Sequence, residues 1–208
     1  MSNSASSTPP VQTIGAILLG AGFSRRFGSD KRLHILNGET IAEQTLKIYR
    51  EAFTHIRVIT RPDDHMLNQH LDRFKVEIIT APDASGGMGY SLAAGFKNLD
   101  WDWAFVGLLD MPYLRVETLK SMICSIGTTG IIRPYHQPAN ADPITFGHPI
   151  GWHRRYFAQL RLSQGDQGGR PLLERHQQDV LNLPFEDTGL FNDIDRPTDI
   201  RAFDDPSA

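Results

Sequence analysis

Short apolar runs alternate with amphipathic segments along most of the chain. Four runs have the length and composition of buried strands, and they cover residues 14–19, 55–60, 76–80 and 103–109. Continuous apolar strands separated by helices are typical of a parallel sheet that is covered on both faces. The pattern therefore predicts an α/β protein with a doubly wound, mainly parallel, Rossmann-like sheet and helices on both faces.

Helical spacing of apolar positions fills the segments between and after these strands. Thr40 has the side chain of a helix N-cap and opens one such segment. Prolines at positions 134, 138, 143 and 149 break the second half into short elements, for which we predict a small antiparallel excursion from the sheet. The predicted helices cover residues 40–53, 63–74, 115–126, 152–162 and 171–176, and a further one carries Leu92 and Phe96.

The first dozen residues differ in composition from the rest. They are rich in Ser, Pro and Asn without periodicity, so we predict a disordered tail at 1–12 and a single domain at 13–208. No charged stretch followed by an apolar run marks a signal peptide, and no apolar run approaches the roughly 20 residues that span a bilayer. These features predict a cytoplasmic protein with no membrane partner.

The chain carries little net charge and one cysteine. Its formal charge of −3 gives no global positive field to attract nucleic acid, so any anion site has to be local. The lone Cys124 excludes an internal disulfide and a cysteine-rich zinc site, and we expect it on the buried side of its helix. The eight histidines contain no His-x-x-x-His pair, which favours scattered surface imidazoles over a metal site.

The predicted strand ends carry the most unusual residues. In an open parallel sheet, ligands bind outside the carboxyl ends of the strands, near the switch in strand order. The loop Gly20-Ala-Gly-Phe-Ser-Arg-Arg-Phe-Gly-Ser-Asp-Lys31 lacks the third glycine of a dinucleotide-binding loop and the Lys-Ser/Thr ending of a Walker A loop. A triphosphate held by Arg25, Arg26, Lys31 and backbone amides is the favoured interpretation. A solvated basic surface loop is the alternative.

Several sequence blocks carry a family resemblance. The segment Leu19-Gly-Ala-Gly-x-Ser24-x-Arg26-Phe-Gly28-x-x-Lys31 resembles the N-terminal signature of the MobA-like nucleotidyltransferases, with Gly20 in place of the usual alanine. The resemblance spans nearly the whole chain after the tail and implies a nucleotide-diphospho-sugar transferase-like fold. The further blocks that agree in order and spacing are Gly87-Met-Gly-Tyr-Ser91-Leu92, Leu109-Asp110-Met111-Pro112, Gly165-Asp166-x-Gly168-Gly169-Arg170 and Asp193-Ile-Asp195-Arg196-Pro197-x-Asp199.

Details of these blocks resemble one branch of the family. Ala21, the block from Gly87 and the Asp110-Met-Pro corner are similar to molybdenum cofactor cytidylyltransferases. The guanylyltransferases typically have Leu-Ala-Gly-Gly and Asp-Thr-Pro at these places. Phe146 stands where the family's Arg-Gly-His-Pro pattern has its arginine, and this departure bears on the identity of the second substrate.

The resemblance implies a role for each matched residue. Lys31 and Arg26 would lie against the triphosphate and Asp110 would bind Mg²⁺, so these three are the predicted catalytic residues. Asp195 is the predicted second metal ligand, with Asp193 as the alternative. The remaining predicted contacts are Leu19, Gly20, Ala21, Gly22, Ser24, Gly87 and Ser91 for the nucleotide, and His148, Asp166 and Arg170 for the acceptor. The structural alternatives are a turn or cap for Asp110 and Ser91, a structural histidine for His148 and a surface salt bridge for Arg170.

The implied activity is a Mg²⁺-dependent transfer of CMP from CTP onto a phosphorylated acceptor, favoured as molybdopterin or molybdenum cofactor, with release of pyrophosphate. A nucleotidyltransferase that uses GTP, or that acts on a sugar phosphate or another phosphorylated metabolite, is an open alternative. A non-catalytic nucleotide-binding or cofactor-delivery module is another. The resemblance also allows transient contact with a molybdoenzyme or its chaperone, whereas the slightly negative net charge predicts no nucleic acid partner.

Overall fold

The structure, a computed structural model, describes residues 12–24, 26–137 and 143–204. Residues 1–11 of the predicted tail lie outside the described residues, and so does Arg25 of the glycine-rich loop. Within the described ranges, no helix is both long enough and apolar enough to cross a membrane.

Strands and helices alternate through the described residues, as the sequence pattern predicts. The strands are β1 Ile14–Leu19, β2 Ile35–Leu36, β3 Glu39–Thr40, β4 His55–Thr60, β5 Glu77–Thr80, β6 Trp103–Leu108, β7 Ile131–His136, β8 Thr145–Phe146, β9 Ile150–His153 and β10 Val180–Pro184. The α-helices are α1 Ile41–Ala52, α2 His65–Asp72, α3 Met88–Phe96, α4 Val116–Cys124, α5 Phe157–Leu160, α6 Arg170–Arg175 and α7 Pro197–Asp204.

The main sheet has the strand order β10-β7-β9-β6-β1-β4-β5, with β8 paired to β7. Strand β1 pairs in parallel with β4 and β6, and β9 runs antiparallel between β6 and β7. The chain runs outward from β1 through β4 to β5 and then returns to the other side of β1 as β6. The strand order therefore switches between β1 and β6, whose carboxyl ends flank the crevice in which open α/β sheets bind ligands.

Apolar side chains on both faces of the sheet pack against helices. Ala16 and Leu18 of β1 belong to a core shared with α1, α2 and α4, whereas Ile17 belongs to the core shared with α3, α5 and α6. This division follows from the period-two alternation of side chains along a strand. We call the side packed by α3, α5 and α6 the α3 face of the sheet.

The predicted fold class is confirmed, including the antiparallel excursion formed by β8 and β9. The strands predicted at 14–19 and 55–60 have the predicted bounds. Thr40 caps α1 as predicted, because its hydroxyl accepts the Glu43 amide while the Glu43 carboxylate accepts the Thr40 amide.

Two predictions about the second half are wrong. Trp152 was expected to begin a helix, but it lies in β9, because that strand fills the gap between β6 and β7 and the ring is buried on the sheet. Its spacing from Tyr156 and Leu160 resembles a helix, although helix α5 begins only at Phe157. Cys124 is exposed rather than buried, because it is the last residue of α4, whose Leu119 and Met122 supply the buried side.

Candidate active site

A cleft of about 460 Å³ opens at the carboxyl ends of β1 and β6. Its walls come from the loop after β1, the turn into α3, the end of β6 and the segment before α7. Asp166, predicted for the acceptor, and Asp193, the alternative metal ligand, also line it. The nucleotide and metal candidates that line the cleft are Leu19, Gly20, Ala21, Gly22, Ser24, Arg26, Lys31, Gly87, Ser91, Asp110 and Asp195.

Hydrogen bonds fix the path of the loop after β1. The amide of Gly20 donates to the carbonyl of Ile59 at 2.8 Å, which ties the loop to β4. Ser24 has a φ of 48°, a left-handed conformation that is uncommon outside glycine, and its hydroxyl accepts the amide of Lys31 at 3.3 Å. The turn at Ser24 therefore returns the chain to the cleft at Lys31.

A buried ion-pair network beneath this loop was not predicted from the sequence. The Arg32 guanidinium, 2% exposed, donates to Asp64 at 2.5 Å, to Asp30 at 2.8 Å and to the carbonyl of Gly20. Arg61 donates to the same Asp64 carboxylate at 2.6 Å. Burial disfavours the Asp64 anion, but the two arginines outweigh it and lower the pKa of that carboxyl. Arg32 thereby holds the Gly20 carbonyl and the direction of the amides that follow it.

Lys31 lies between two carboxylates at the mouth of the cleft. Its Nζ is 2.7 Å from Oδ2 of Asp110 and 2.9 Å from Oδ1 of Asp195, and its side chain is 8% exposed. Burial opposes the ammonium form, but the charges and hydrogen bonds of the two carboxylates outweigh burial and raise the pKa of Lys31. The lysine is therefore a fixed positive charge at neutral pH.

Three carboxylates of the cleft converge through a short backbone contact. The amide of Ile194 donates to the carbonyl of Asp110 at 3.2 Å, which sets Asp193 and Asp195 beside the end of β6. The hydrogen bond from Lys31 lowers the pKa of Asp195, which is 41% exposed. Burial and the charges of the other two carboxylates raise the pKa of Asp193. The site is thus richer in negative charge than one lysine can balance.

The carboxylates fit a divalent metal that is shared with a phosphate ligand. Oδ1 of Asp110 is buried and has no hydrogen-bond partner in the described structure, so a strong acceptor faces the site unpaired. Among the described residues, no three His, Cys, Asp or Glu side chains form a complete metal cage. Mg²⁺ is typically held by one or two carboxylates with substrate phosphates and water supplying the other oxygens, so Asp110 and Asp195 match its needs.

The turn into α3 meets the segment that carries Asp166. Gly87 has a φ of 122°, and a Cβ there would lie 2.4 Å from Oδ1 of Asp166, so only glycine fits. The amide of Gly89 donates to the carbonyl of Gly165 at 2.7 Å. Ser91 is buried within α3 rather than at its N-terminus, so helix capping does not explain it. The turn into α3 is therefore packed directly against the segment that carries Asp166.

Three predicted residues occupy the edge of the site or lie outside it. Arg26 sits at the rim, 71% exposed, with Nη1 2.9 Å from Oδ2 of Asp195. Arg170 does not line the cleft, because α6 turns it to solvent, where it pairs with Glu174 at 2.8 Å. His148 lies beside the site, where burial lowers its pKa despite the charge of Asp193, and its buried Nδ1 has no hydrogen-bond partner in the described structure. The geometry favours a surface salt bridge for Arg170.

The sequence of the chain matches a known protein family. Residues 16–180 match the model of the MobA-like NTP transferase domain. The chain belongs to this family. The match includes the loop after β1, Lys31 and Asp110, and it ends before Asp193 and Asp195. The resemblance predicted from the sequence blocks is confirmed, and the protein is a nucleotidyltransferase of the MobA-like family.

Curated relatives of several kinds are similar to this member of the family. The purine catabolism protein PucB of Bacillus subtilis is 27% identical, with 87% of this chain and 91% of that protein covered. The molybdenum cofactor cytidylyltransferase of Escherichia coli is 26% identical over 91% of this chain and 94% of its own. A probable molybdenum cofactor guanylyltransferase of Opitutus terrae is also 26% identical, over 89% and 91%.

A solved structure has the same fold. The crystal structure of Mycobacterium tuberculosis Rv0371c in complex with manganese aligns with a TM-score of 0.74, covering 92% of this chain and 97% of that one at 22% identity. The alignment confirms the predicted fold.

Proposed function

We propose that this protein is a Mg²⁺-dependent nucleotidyltransferase that moves CMP from CTP onto a phosphorylated acceptor, molybdopterin or its molybdenum form. The observation that carries the proposal is the buried Lys31 ammonium, 2.7 Å from Asp110 and 2.9 Å from Asp195 at the tips of β1 and β6. This arrangement combines a fixed positive charge for phosphates with hard oxygen ligands for a divalent metal.

The reaction is an in-line displacement at the α-phosphorus of the nucleotide. An oxygen of the acceptor phosphate forms the new P–O bond, the bond to the β-phosphate breaks, and pyrophosphate leaves with the electron pair. The second pKa of a phosphate monoester is about 6, so the acceptor is mostly dianionic at neutral pH and needs no general base. Catalysis therefore depends on positioning and on stabilising charge.

The chain supplies that stabilisation from two sides. Lys31 and, at the rim, Arg26 place positive charge where negative charge develops on the leaving pyrophosphate. Ala21 and Gly22 line the cleft, so their backbone amides would face the nucleotide, whereas the amide of Gly20 is bonded to the carbonyl of Ile59. Asp110 and Asp195 would hold the Mg²⁺, which supplies Lewis-acid stabilisation of phosphate oxygens when bound. The unpaired buried Oδ1 of Asp110 supports this assignment.

A nucleotide panel tests the choice of base. We expect CTP with Mg²⁺ to give the largest rise in melting temperature and the fastest pyrophosphate release among CTP, GTP, ATP and UTP. Ala21 and the Asp110-Met-Pro corner support CTP, whereas relatives named for cytidylyl and guanylyl transfer are equally identical to this chain. A preference for GTP would overturn the cytidylyl assignment and keep the nucleotidyltransferase.

The acceptor is tested in the same assay. Molybdopterin should support pyrophosphate release, and sugar phosphates at equal concentration should not. The similarity to proteins named for molybdenum cofactor chemistry supports this choice. Release with a sugar phosphate alone would replace the acceptor, and nucleotide binding without release with any acceptor would support a non-catalytic binding module.

The acid side of the pH profile should follow the acceptor phosphate. We expect kcat/KM for the acceptor to fall about tenfold per pH unit below about pH 6, because the phosphate then loses its dianionic form. Hydrogen bonding to Lys31 lowers the pKa of Asp195, so that carboxylate stays ionised through this range. Asp193 has a raised pKa, so its protonation is the alternative cause of a fall in rate at acid pH. Rates measured from pH 5 to 8 should show the limb unmoved in Asp193→Asn, and a displaced limb would contradict the assignment.

A further inference from the structure

Arg133 on β7 is held flat against an aromatic ring. Its Cζ lies 3.4 Å from the centre of the Phe146 ring on β8, so the guanidinium stacks on the ring face. Its Nε donates to Oδ1 of Asn182 on β10 at 3.0 Å. These two contacts fix the plane of the guanidinium and leave the N–H groups of its terminal nitrogens for another partner.

No carboxylate neutralises Arg133 in the part of the chain that the structure describes. A similar arrangement at the opposite edge of the sheet does contain a carboxylate. There Arg57 of β4 stands opposite Glu77 of β5 and donates to both of its oxygens, at 2.8 and 2.9 Å. Arg133 stands opposite neutral Asn182 in the same way. Burial without a counter-ion lowers the pKa of Arg133, which marks the charged form as under-stabilised.

The strand register places Arg133 on the same face of the sheet as the cleft. Ile131 packs on the α3 face with Val106, and Arg133 is two residues along from Ile131. Leu108, two residues along from Val106, lines the cleft. Strand β9 separates β7 from β6, so strand spacing and rise put the Cα atoms of Arg133 and Leu108 about 12 Å apart. An extended ligand of moderate size can span this distance.

We propose that Arg133, stacked on Phe146, binds an anionic or acceptor-rich oxygen group at the end of the acceptor molecule that lies away from the reacting phosphate. This inference rests on the proposed function, since it assumes that the acceptor occupies the cleft beside β6. A planar guanidinium whose two terminal nitrogens keep their N–H groups free recognises such oxygens in a bidentate manner through that edge.

Two variants test this role by opposite means. Arg133→Ala removes the cation, whereas Asn182→Glu keeps it and supplies the intramolecular carboxylate that Arg57 has in Glu77. Each should raise the KM for molybdopterin at least tenfold and change the KM for CTP less than twofold. The matched control is Arg154→Ala, which removes an exposed arginine paired with Asp102 at the opposite end of β6. It should leave both KM values within twofold of wild type.

The outcomes separate this inference from the proposed function. A KM for molybdopterin within twofold of wild type in both variants overturns the inference, and so does an effect in Arg133→Ala alone, since lost packing then explains it. If wild type transfers CMP to no phosphorylated acceptor, the proposed function fails. A titration with inorganic phosphate then tests whether Arg133 binds an oxyanion. A saturable NMR shift of the Arg133 Nε–H that is lost in Asn182→Glu supports an oxyanion site there. Absence of that shift in wild type rejects one.

Discussion

Asp110→Ala should reduce pyrophosphate release by at least about 10³-fold, because it removes the carboxylate that the site needs most. Loss of a metal ligand removes several kcal/mol of transition-state stabilisation, and about 1.4 kcal/mol corresponds to each factor of ten in rate. The side chain of Asp110 is the less exposed of the two proposed ligands, at 16% against 41% for Asp195. Of the carboxylate oxygens of these two residues, Oδ1 of Asp110 is the one that is buried and has no hydrogen-bond partner in the described structure. Asp195→Ala should therefore have the smaller effect.

The fold should tolerate the loss of Asp110. Lys31 keeps its 2.9 Å contact with Asp195, so no unpaired ammonium is left behind. We expect a change of about 1 kcal/mol or less in the free energy of unfolding, which is about 2–4 °C in Tm for a domain of this size. Asp100→Ala, an exposed residue before the other end of β6, is the matched control. Turnover of Asp110→Ala near the wild-type rate would remove its metal role.

The fold was largely predictable because its strands are buried on both faces. Residues 14–19 form a continuous apolar run, and residues 55–60 carry Ile56, Val58 and Ile59, a β-branched content that is typical of a central strand. Strand β10 escaped prediction because Asn182 and Pro184 interrupt its apolar pattern at the sheet edge. Trp152 was wrongly predicted to be helical because its apolar side chain fits two patterns. It is buried in strand β9, and it is also spaced from the apolar residues of α5 as if it belonged to the same helix.

The site was predictable only where residues sit at strand tips in recognisable blocks. Lys31 and Asp110 follow β1 and β6, and the switch between these strands brings them together. Arg32 and Asp64 were missed, because a buried pair between a loop and a helix start leaves no local pattern. Arg170 belongs to a matching block, but the block does not specify that α6 turns it outward.

Lys31→Ala should lower the rate by about 10²–10³-fold, the usual cost of removing one preorganised group that stabilises developing charge. It should also destabilise the fold, in contrast to Asp110→Ala. Among the residues that the structure describes, removing the ammonium leaves Asp110 with no cation paired to its Oδ2, facing Asp193 and Asp195. Breaking a buried pair costs about 3–5 kcal/mol, and the partial exposure of Asp195 reduces that to about 2 kcal/mol here.

The pH dependence of this loss identifies its cause. In wild type, Lys31 lowers the pKa of Asp195, so this stabilisation is present at pH 7, is largely kept at pH 4 and is lost only as pH falls further below the ordinary pKa of the carboxyl. Without Lys31, nothing offsets the repulsion that Asp193 and Asp195 exert on each other, so the pKa values of these two carboxyls rise and the variant gains stability relative to neutral pH as they protonate. The Tm difference between wild type and Lys31→Ala should therefore be larger at pH 7 than at pH 4, and equal differences would contradict this account.

A double variant separates the two consequences of removing the lysine. Adding Asp110→Asn to Lys31→Ala removes one of the repelling charges and keeps the shape of the side chain, so it should recover at least half of the lost stability at pH 7. Activity should not return, because the added amide restores neither the cation nor the metal ligand. Recovery of activity together with stability would mean that catalysis needs neither the Lys31 ammonium nor the Asp110 carboxylate, and both proposed roles would be wrong.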